Sequence, residues 1–278
     1  MTTLILIELR KIFSKWRSFV GFIAIAALVP VVQVAMASEG EGYFRLFTQT
    51  LRNTFEFSGN LTNGYLIGFV VLNAMIVHIP LLVALVAGDL LAGEATAGTF
   101  RLLLTRPPSR MMYVSAKFIA GVIYANLLVA WLALLSLGTS TLFLGSGELI
   151  VVSSVITILP ADDVLWRFFY AYGFAALSMT TVAALAFCFG AFVENAIGPI
   201  AATMAVIIVF TIVSTLDAPF IQAVKPFLFT NHSLGWRLMF DDPVDWPRVA
   251  SSAGILAAHI AALFTAAAVA FTRKDVLS

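Results

Sequence analysis

The residues able to do chemistry are few, and they stand between apolar stretches rather than inside them. The three histidines, His78, His232 and His259, are far apart and show no metal-ligand spacing. The single cysteine, Cys188, lies in an apolar run, where a thiol acts as a small hydrophobe. One cysteine makes neither an internal disulfide nor a cysteine-based metal cluster. No Gly-x-x-x-x-Gly-Lys-Ser/Thr phosphate loop occurs, and neither His-Glu-x-x-His nor Gly-x-Ser-x-Gly is present. The sequence therefore predicts no catalytic residue, no metal site and no cofactor bound by this chain.

The polar residues that do gather lie in one segment, 88–117. It opens Gly88-Asp89-Leu90-Leu91-Ala92-Gly93-Glu94 and closes Arg106-Pro107-Pro108-Ser109-Arg110, with Lys117 beyond. Glycines punctuate its first part. The proline pair must stop a helix, because proline lacks an N–H and clashes with the preceding turn. Ser109 is placed to cap the helix that follows. The expectation is a short helix or two lying across the membrane face, apolar on one side and charged on the other, suited to contact another protein. A simple interfacial loop without a partner is the alternative. A second, smaller polar turn occupies 193–198 and carries Glu194, with Pro199 in the first turn of the next helix.

These segments must be positioned by apolar helices. Hydrophobic residues make up 61% of the 278 and charged residues 11%, against about 45–50% and about 25% in soluble domains. Six stretches approach the roughly 20 apolar residues that a bilayer-crossing helix needs: 19–36, 65–87, 118–144, 168–192, 199–216 and 250–271. Lipid offers no partner to backbone N–H and C=O groups, so each span must be helical. The sequence thus reads as an all-α membrane protein with one transmembrane domain over 1–278. The first span reads as an uncleaved anchor, because its basic leader is long and its apolar core exceeds that of a signal peptide.

Lys and Arg set the orientation. Arg10, Lys11, Lys15, Arg17, Arg101, Arg106, Arg110, Lys117, Arg273 and Lys274 fall on one side. Arg45, Arg52, Arg167, Lys225, Arg237 and Arg248 fall on the other. The richer side faces the cytoplasm and holds both termini. On a helical wheel, Leu9, Ile12, Phe13, Trp16, Phe19 and Val20 share one face opposite Arg10, Lys11, Lys15 and Arg17. That pattern predicts an interfacial helix over about 4–18 with its basic face toward anionic lipid headgroups. The last outer loop, 217–249, is marked by Pro219 and Pro226 and is expected to hold short re-entrant helices. Within the spans, His78, Asn73 and Asn126 are candidates for lining a path, or for single interhelical hydrogen bonds. Intramembrane carboxylates, which ion-coupled carriers use, are missing.

The run Glu94, Gly98-Thr99, Pro108-Ser109-Arg110 and Lys117 resembles the cytoplasmic loop of type-2 ATP-binding-cassette (ABC) exporter permeases. The tail Phe271-Thr272-Arg273-Lys274-Asp275-Val276 and the opening Glu8-Leu9-Arg10-Lys11 are similar to the family's ends. The resemblance implies six transmembrane helices with an N-terminal amphipathic elbow helix and a cytoplasmic coupling helix between spans two and three. It implies a dimer, of two copies or with a related permease, seated on two separate cytoplasmic ABC ATPase subunits that hold ATP and magnesium. ATPase-coupling residues would be Asp89, Glu94, Gly98, Thr99, Arg101, Arg106 and Arg110, with Glu194 in a smaller contact. The setting would be a bacterial or archaeal inner membrane, with surrounding lipid and an optional periplasmic accessory protein as partners and no nucleic acid. The competing readings are a membrane scaffold or assembly factor that moves nothing, and a membrane-embedded enzyme.

Overall fold

A computed structural model of the protein describes residues 1–48, 63–96, 109–152 and 156–273. Among them, five helices are long and apolar enough to cross a membrane, or six if one bent pair is a single span. This helix content is compatible with a multi-pass membrane protein.

Helix α1 (Thr2–Ser14) precedes α2 (Trp16–Thr48). The bent pair is α3 (Gly64–Met75) and α4 (Ile79–Ala87), which meet at 51°. Pro80 explains the break, since it cannot donate to the carbonyl of Ile76. Helix α5 (Asp89–Thr96) follows, then α6 (Arg110–Ala133). A π-helical turn, Leu134–Thr139, joins α6 to α7 (Ser140–Leu144). Such a turn loosens the regular ladder. Gln33 of α2 covers it, donating through Nε2 to the Leu135 carbonyl at 3.0 Å, Thr139 Oγ1 at 2.7 Å and Ser140 Oγ at 2.8 Å.

Strands β1 (Leu149–Val152) and β2 (Ile156–Leu159) then form an antiparallel hairpin with Leu149 opposite Leu159. This pair departs from the all-α expectation. Four-residue apolar runs do not reveal by periodicity whether they are strand or helix.

The hub of the fold is α8 (Ala161–Phe192), which packs against α4, α5, α6, α9 (Ile197–Thr215) and α12 (Trp246–Arg273). Small residues let its neighbours approach: Ala171, Ala175, Ala184 and Ala186 are fully buried. At Gly190 an added Cβ would stand 2.8 Å from the Gly88 carbonyl oxygen, so only hydrogen fits there. Between α9 and α12 lie α10 (Pro219–Val224) and α11 (Phe229–Ser233), each followed by a 3₁₀ turn, the second over Gly235–Phe240. The short helices expected in 217–249 are therefore present. They fold inward, with Trp236 fully buried against Phe69 and Phe240.

Arg167 fastens the start of α8 to this segment. It is buried, donates to Asp163 Oδ2 from Nε at 2.9 Å and from Nη2 at 2.6 Å, and reaches the carbonyls of Met239 (3.0 Å) and Asp241 (2.7 Å) through Nη1. Arg167→Met would strand those two carbonyls, and the expected loss is about 2 kcal/mol. Asp163→Asn, at a carboxylate that water reaches, should cost under about 1 kcal/mol. Thermal unfolding of the two variants in detergent checks the order; equal losses would refute the clamp.

Candidate functional site

The ends of α1, α5 and α6 meet in a knot of charge. Each side chain gets there for a local reason. Glu8 and Lys11 sit one turn apart on α1, and Tyr113 and Lys117 one turn apart on α6. Ser109 caps α6 as its sequence position suggests, its Oγ accepting from the Met112 N–H at 3.3 Å. Asp89 and Glu94 are carried by α5. That helix prolongs α4, because Gly88 keeps helical angles (φ −66°, ψ −29°). The sequence reading expected a short helix here, lying across the membrane face, and the helix is present. Its residues 89–94 instead continue the bundle, with Leu90, Leu91 and Ala92 buried, because an apolar face three residues wide packs on α8 and α6.

Lys117 is the centre. Its side chain is 2% exposed, and its Nζ lies 2.7 Å from Glu8 Oε2 and 2.8 Å from Glu94 Oε1. The ammonium also stands 4.9 Å from the Tyr113 ring centroid, a cation–π contact. Lys11 Nζ bridges the same two acids, at 2.7 Å from Glu8 Oε1 and 3.2 Å from Glu94 Oε1. The Tyr113 hydroxyl donates to Glu94 Oε2. Beside this group, Lys15 Nζ lies 3.1 Å from Asp89 Oδ2, and Arg17 pairs with the same oxygen. A cavity of about 30 Å³ remains among these side chains, room for a water molecule and not for a substrate. The arrangement joins helices; it holds no group poised to attack or to accept a proton from a ligand.

The N-terminal helix is corrected by this geometry. Residues 9–20 were expected as one amphipathic helix. The backbone breaks at Lys15, which is extended (φ −96°, ψ 128°). The break lets Lys15 and Arg17 both reach Asp89, and the buried Ser18 hydroxyl takes over the Ile12 carbonyl at 2.6 Å. Three of the four basic residues expected to face lipid headgroups are thus paired with protein carboxylates.

Of the other predicted residues, Arg110 donates from Nη1 to the Thr272 carbonyl at 3.1 Å, tying α6 to the end of α12. The Glu194 carbonyl accepts from Thr96 Oγ1 at 2.7 Å, so the 193–198 turn abuts the end of α5. Gly98, Thr99, Arg101, Arg106 and Lys274 lie outside the described residues.

Residues 23–277 match the family model described as Protein of unknown function (DUF2705). The chain belongs to that family. No curated protein matches it. The stretch shared with the DUF2705 family contains Asp89, Glu94, Tyr113 and Lys117, while Glu8, Lys11, Lys15 and Arg17 precede it.

The three candidate path residues are not drawn together. Asn73 Oδ1 accepts from Arg237 Nη2 at 2.5 Å. Asn126 Nδ2 donates to the Val122 carbonyl at 2.7 Å and to Thr180 Oγ1 at 3.3 Å. His78 Nδ1 lies 2.8 Å from the Ala74 carbonyl at the break before α4. Asn73 and Asn126 thus make long-range side-chain hydrogen bonds of the kind the sequence left open as the alternative, while His78 bonds within its own segment. The reading from sequence also missed Tyr113 and Gln33, and it assigned Arg17 to the lipid-facing side rather than to Asp89. A Tyr four residues before a Lys was the available signal for the first; nothing local marks Gln33.

Two predictions follow from the knot. Lys117→Met leaves Glu8 and Glu94 facing each other in a buried site, and the expected cost is about 3–5 kcal/mol. Lys15→Met, at the half-exposed rim, should cost under about 1 kcal/mol. Denaturant unfolding in micelles measures both, and a similar small loss for Lys117→Met would show that the centre is not what holds α1. The second concerns pH. Burial works against the Lys11 charge, but hydrogen bonds and attraction from Glu8 and Glu94 outweigh it and hold its pKa above the ordinary lysine value of 10.5. Its contribution is full below that value and is lost as pH rises through the raised native pKa. Unfolding followed above pH 10.5 should therefore show a fall in stability that Lys11→Met makes shallower; an unchanged slope would exclude it.

Proposed function

We propose that this chain is the membrane-spanning half of an ATP-driven ABC transporter, an exporter that dimerises and couples to two separate ATPase subunits. The observation that carries the reading is the meeting of Glu8, Glu94 and Lys117. The elbow, the start of the coupling loop and the opening of span three are among the stretches that carry the resemblance to type-2 permeases. Here their charged residues form one knot. The Thr96–Glu194 hydrogen bond, which joins the 193–198 turn to the end of α5, supports reading that turn as a second, smaller contact. A force applied by a partner at residues 97–108 or at the 193–198 turn would reach α1, α6 and α8 through packed helices and ion pairs.

In this reading the bent pair is one span, giving six crossings, with α1 as the elbow and α5 as the stem of the coupling segment. Both termini and the knot face the cytoplasm of a bacterium or archaeon, in keeping with the placement of Lys and Arg. The absence of a phosphate loop in the sequence fits an ATPase carried on another chain. The missing intramembrane carboxylates fit a transporter that needs no ion gradient.

The test is recovery of a partner. The full chain, tagged and expressed with its neighbouring genes, should co-purify in mild detergent with a nucleotide-hydrolysing subunit. Gly98→Trp with Arg101→Glu should lower that recovery by roughly tenfold or more, as expected for an interface anchor worth about 2 kcal/mol. The Lys15→Met chain serves as the folded control. If no ATPase is recovered, or if recovery is indifferent to the 98/101 pair, the proposal fails.

A further inference from the structure

A cavity of about 330 Å³ lies apart from the charge knot, between the break in the α3–α4 pair, α8, α9 and α11. Its volume is in the range of small-molecule sites. Much of its wall is apolar, with Ile76, Pro80, Met179, Val182 and Ile207. Among the described residues, no Asp, Glu, Lys, Arg or His lines it. A charged ligand would leave water there without a counter-charge, which is costly.

The polar part of the wall has one character. Thr211 Oγ1 donates to the Ile207 carbonyl at 2.7 Å, Ser214 Oγ to Phe210 at 2.7 Å, Thr215 Oγ1 to Ile212 at 2.7 Å and Ser233 Oγ to Phe229 at 3.0 Å. Asn231 uses its amide N–H on the Lys225 carbonyl at 2.6 Å. A hydroxyl that has given its proton to a helix carbonyl has lone pairs left to offer, and the Asn231 amide keeps its carbonyl oxygen along with one further N–H. Pro80 adds to the same side of the balance, since it removes the usual donor to the Ile76 carbonyl. Thr230 Oγ1 is buried and has no hydrogen-bond partner. An unpaired buried hydroxyl is unusual and costs free energy until something meets it. Among the described residues the lining thus offers more acceptors than donors, the unspent donors being the Thr230 hydroxyl and the second Asn231 N–H, and it carries no charge.

We infer that this cavity binds an uncharged amphiphile, an apolar body carrying hydroxyl or amide groups that donate hydrogen bonds. The inference concerns binding by this chain alone and does not rest on coupling to an ATPase.

The experiment uses the purified full chain in lipid nanodiscs and three diazirine-bearing probes of one chain length: a twelve-carbon primary alcohol, its methyl ether and the matching carboxylate. After photolysis, mass spectrometry reads labelling of 207–215 and 229–234. The alcohol should label these segments saturably, and about five- to tenfold more than the ether, the discrimination given by one lost hydrogen bond. The carboxylate should label less than the alcohol. Excess unlabelled dodecanol should compete. Thr211→Val with Ser214→Ala should bring alcohol labelling down to the ether level, and Val182→Trp should lower both by filling the space. Equal labelling by alcohol and ether, stronger labelling by the carboxylate, or non-saturable labelling spread along the exposed residues Ile208 and Ile212 would each overturn the inference. Should a variant not fold, the three-probe comparison on the unmodified chain decides alone. No ATPase is in the assay, so its failure is separate from a failed partner recovery.

Discussion

Lys117 held between Glu8 and Glu94 is the interaction on which one end of this molecule depends. An ammonium that is 2% exposed survives as a charge because two carboxylates and an aromatic face surround it. Those partners come from different parts of the chain, 109 residues away for Glu8 and 23 for Glu94, the differences of their sequence numbers. The ion pairs therefore fix where α1 lies relative to the helices behind it. Hydrophobic contact cannot do that by itself in lipid, because a helix gains little by exchanging tails for leucines. Directional pairs supply the register, and Lys11, Lys15 and Arg17 extend them around the rim.

The rest of the fold obeys a second constraint, that backbone groups inside an apolar medium need partners. Several irregularities in the spans are answered. The π-helical turn after α6 receives Gln33. Asn63 begins α3 by accepting from the N–H groups of Tyr65 and Leu66 at 3.0 and 3.1 Å, and it binds the Glu148 carbonyl through Nδ2 at 2.7 Å. The Arg167 clamp takes up carbonyls of the folded-back outer segment. Where the answer is incomplete, at the break before Pro80 and at Thr230, a cavity of ligand size lies alongside. Disorder of the helical ladder and an acceptor-rich wall occur at one place, which is what makes that wall chemically specific.

The apolar stretches, their helical state and the presence of short helices within 217–249 were legible in the sequence. Of the knot's members, Glu94 and Asp89 were candidate site residues from sequence, and Glu8, Lys11 and Lys117 lay in stretches that carry the family resemblance. Their assembly was not legible. A helical wheel drawn over 9–20 assumes an unbroken axis, and the tertiary pull of Asp89 on Lys15 and Arg17 breaks it. Gln33 was not read from sequence, because the acceptors it meets exist only at the π-helical turn of another helix. The β-hairpin escaped because Leu149–Val152 and Ile156–Leu159 are too short for their period to show.

What the sequence by itself determined is the solvent and the secondary structure: apolar runs of bilayer length must be helical, and the prolines and caps say where several of them bend or begin. Tertiary structure decided which charges are buried. A lysine in sequence is as ready to face a lipid headgroup as a glutamate on another helix. The choice rests on desolvation and ion-pair distance, quantities that exist only once α1, α5 and α6 are side by side.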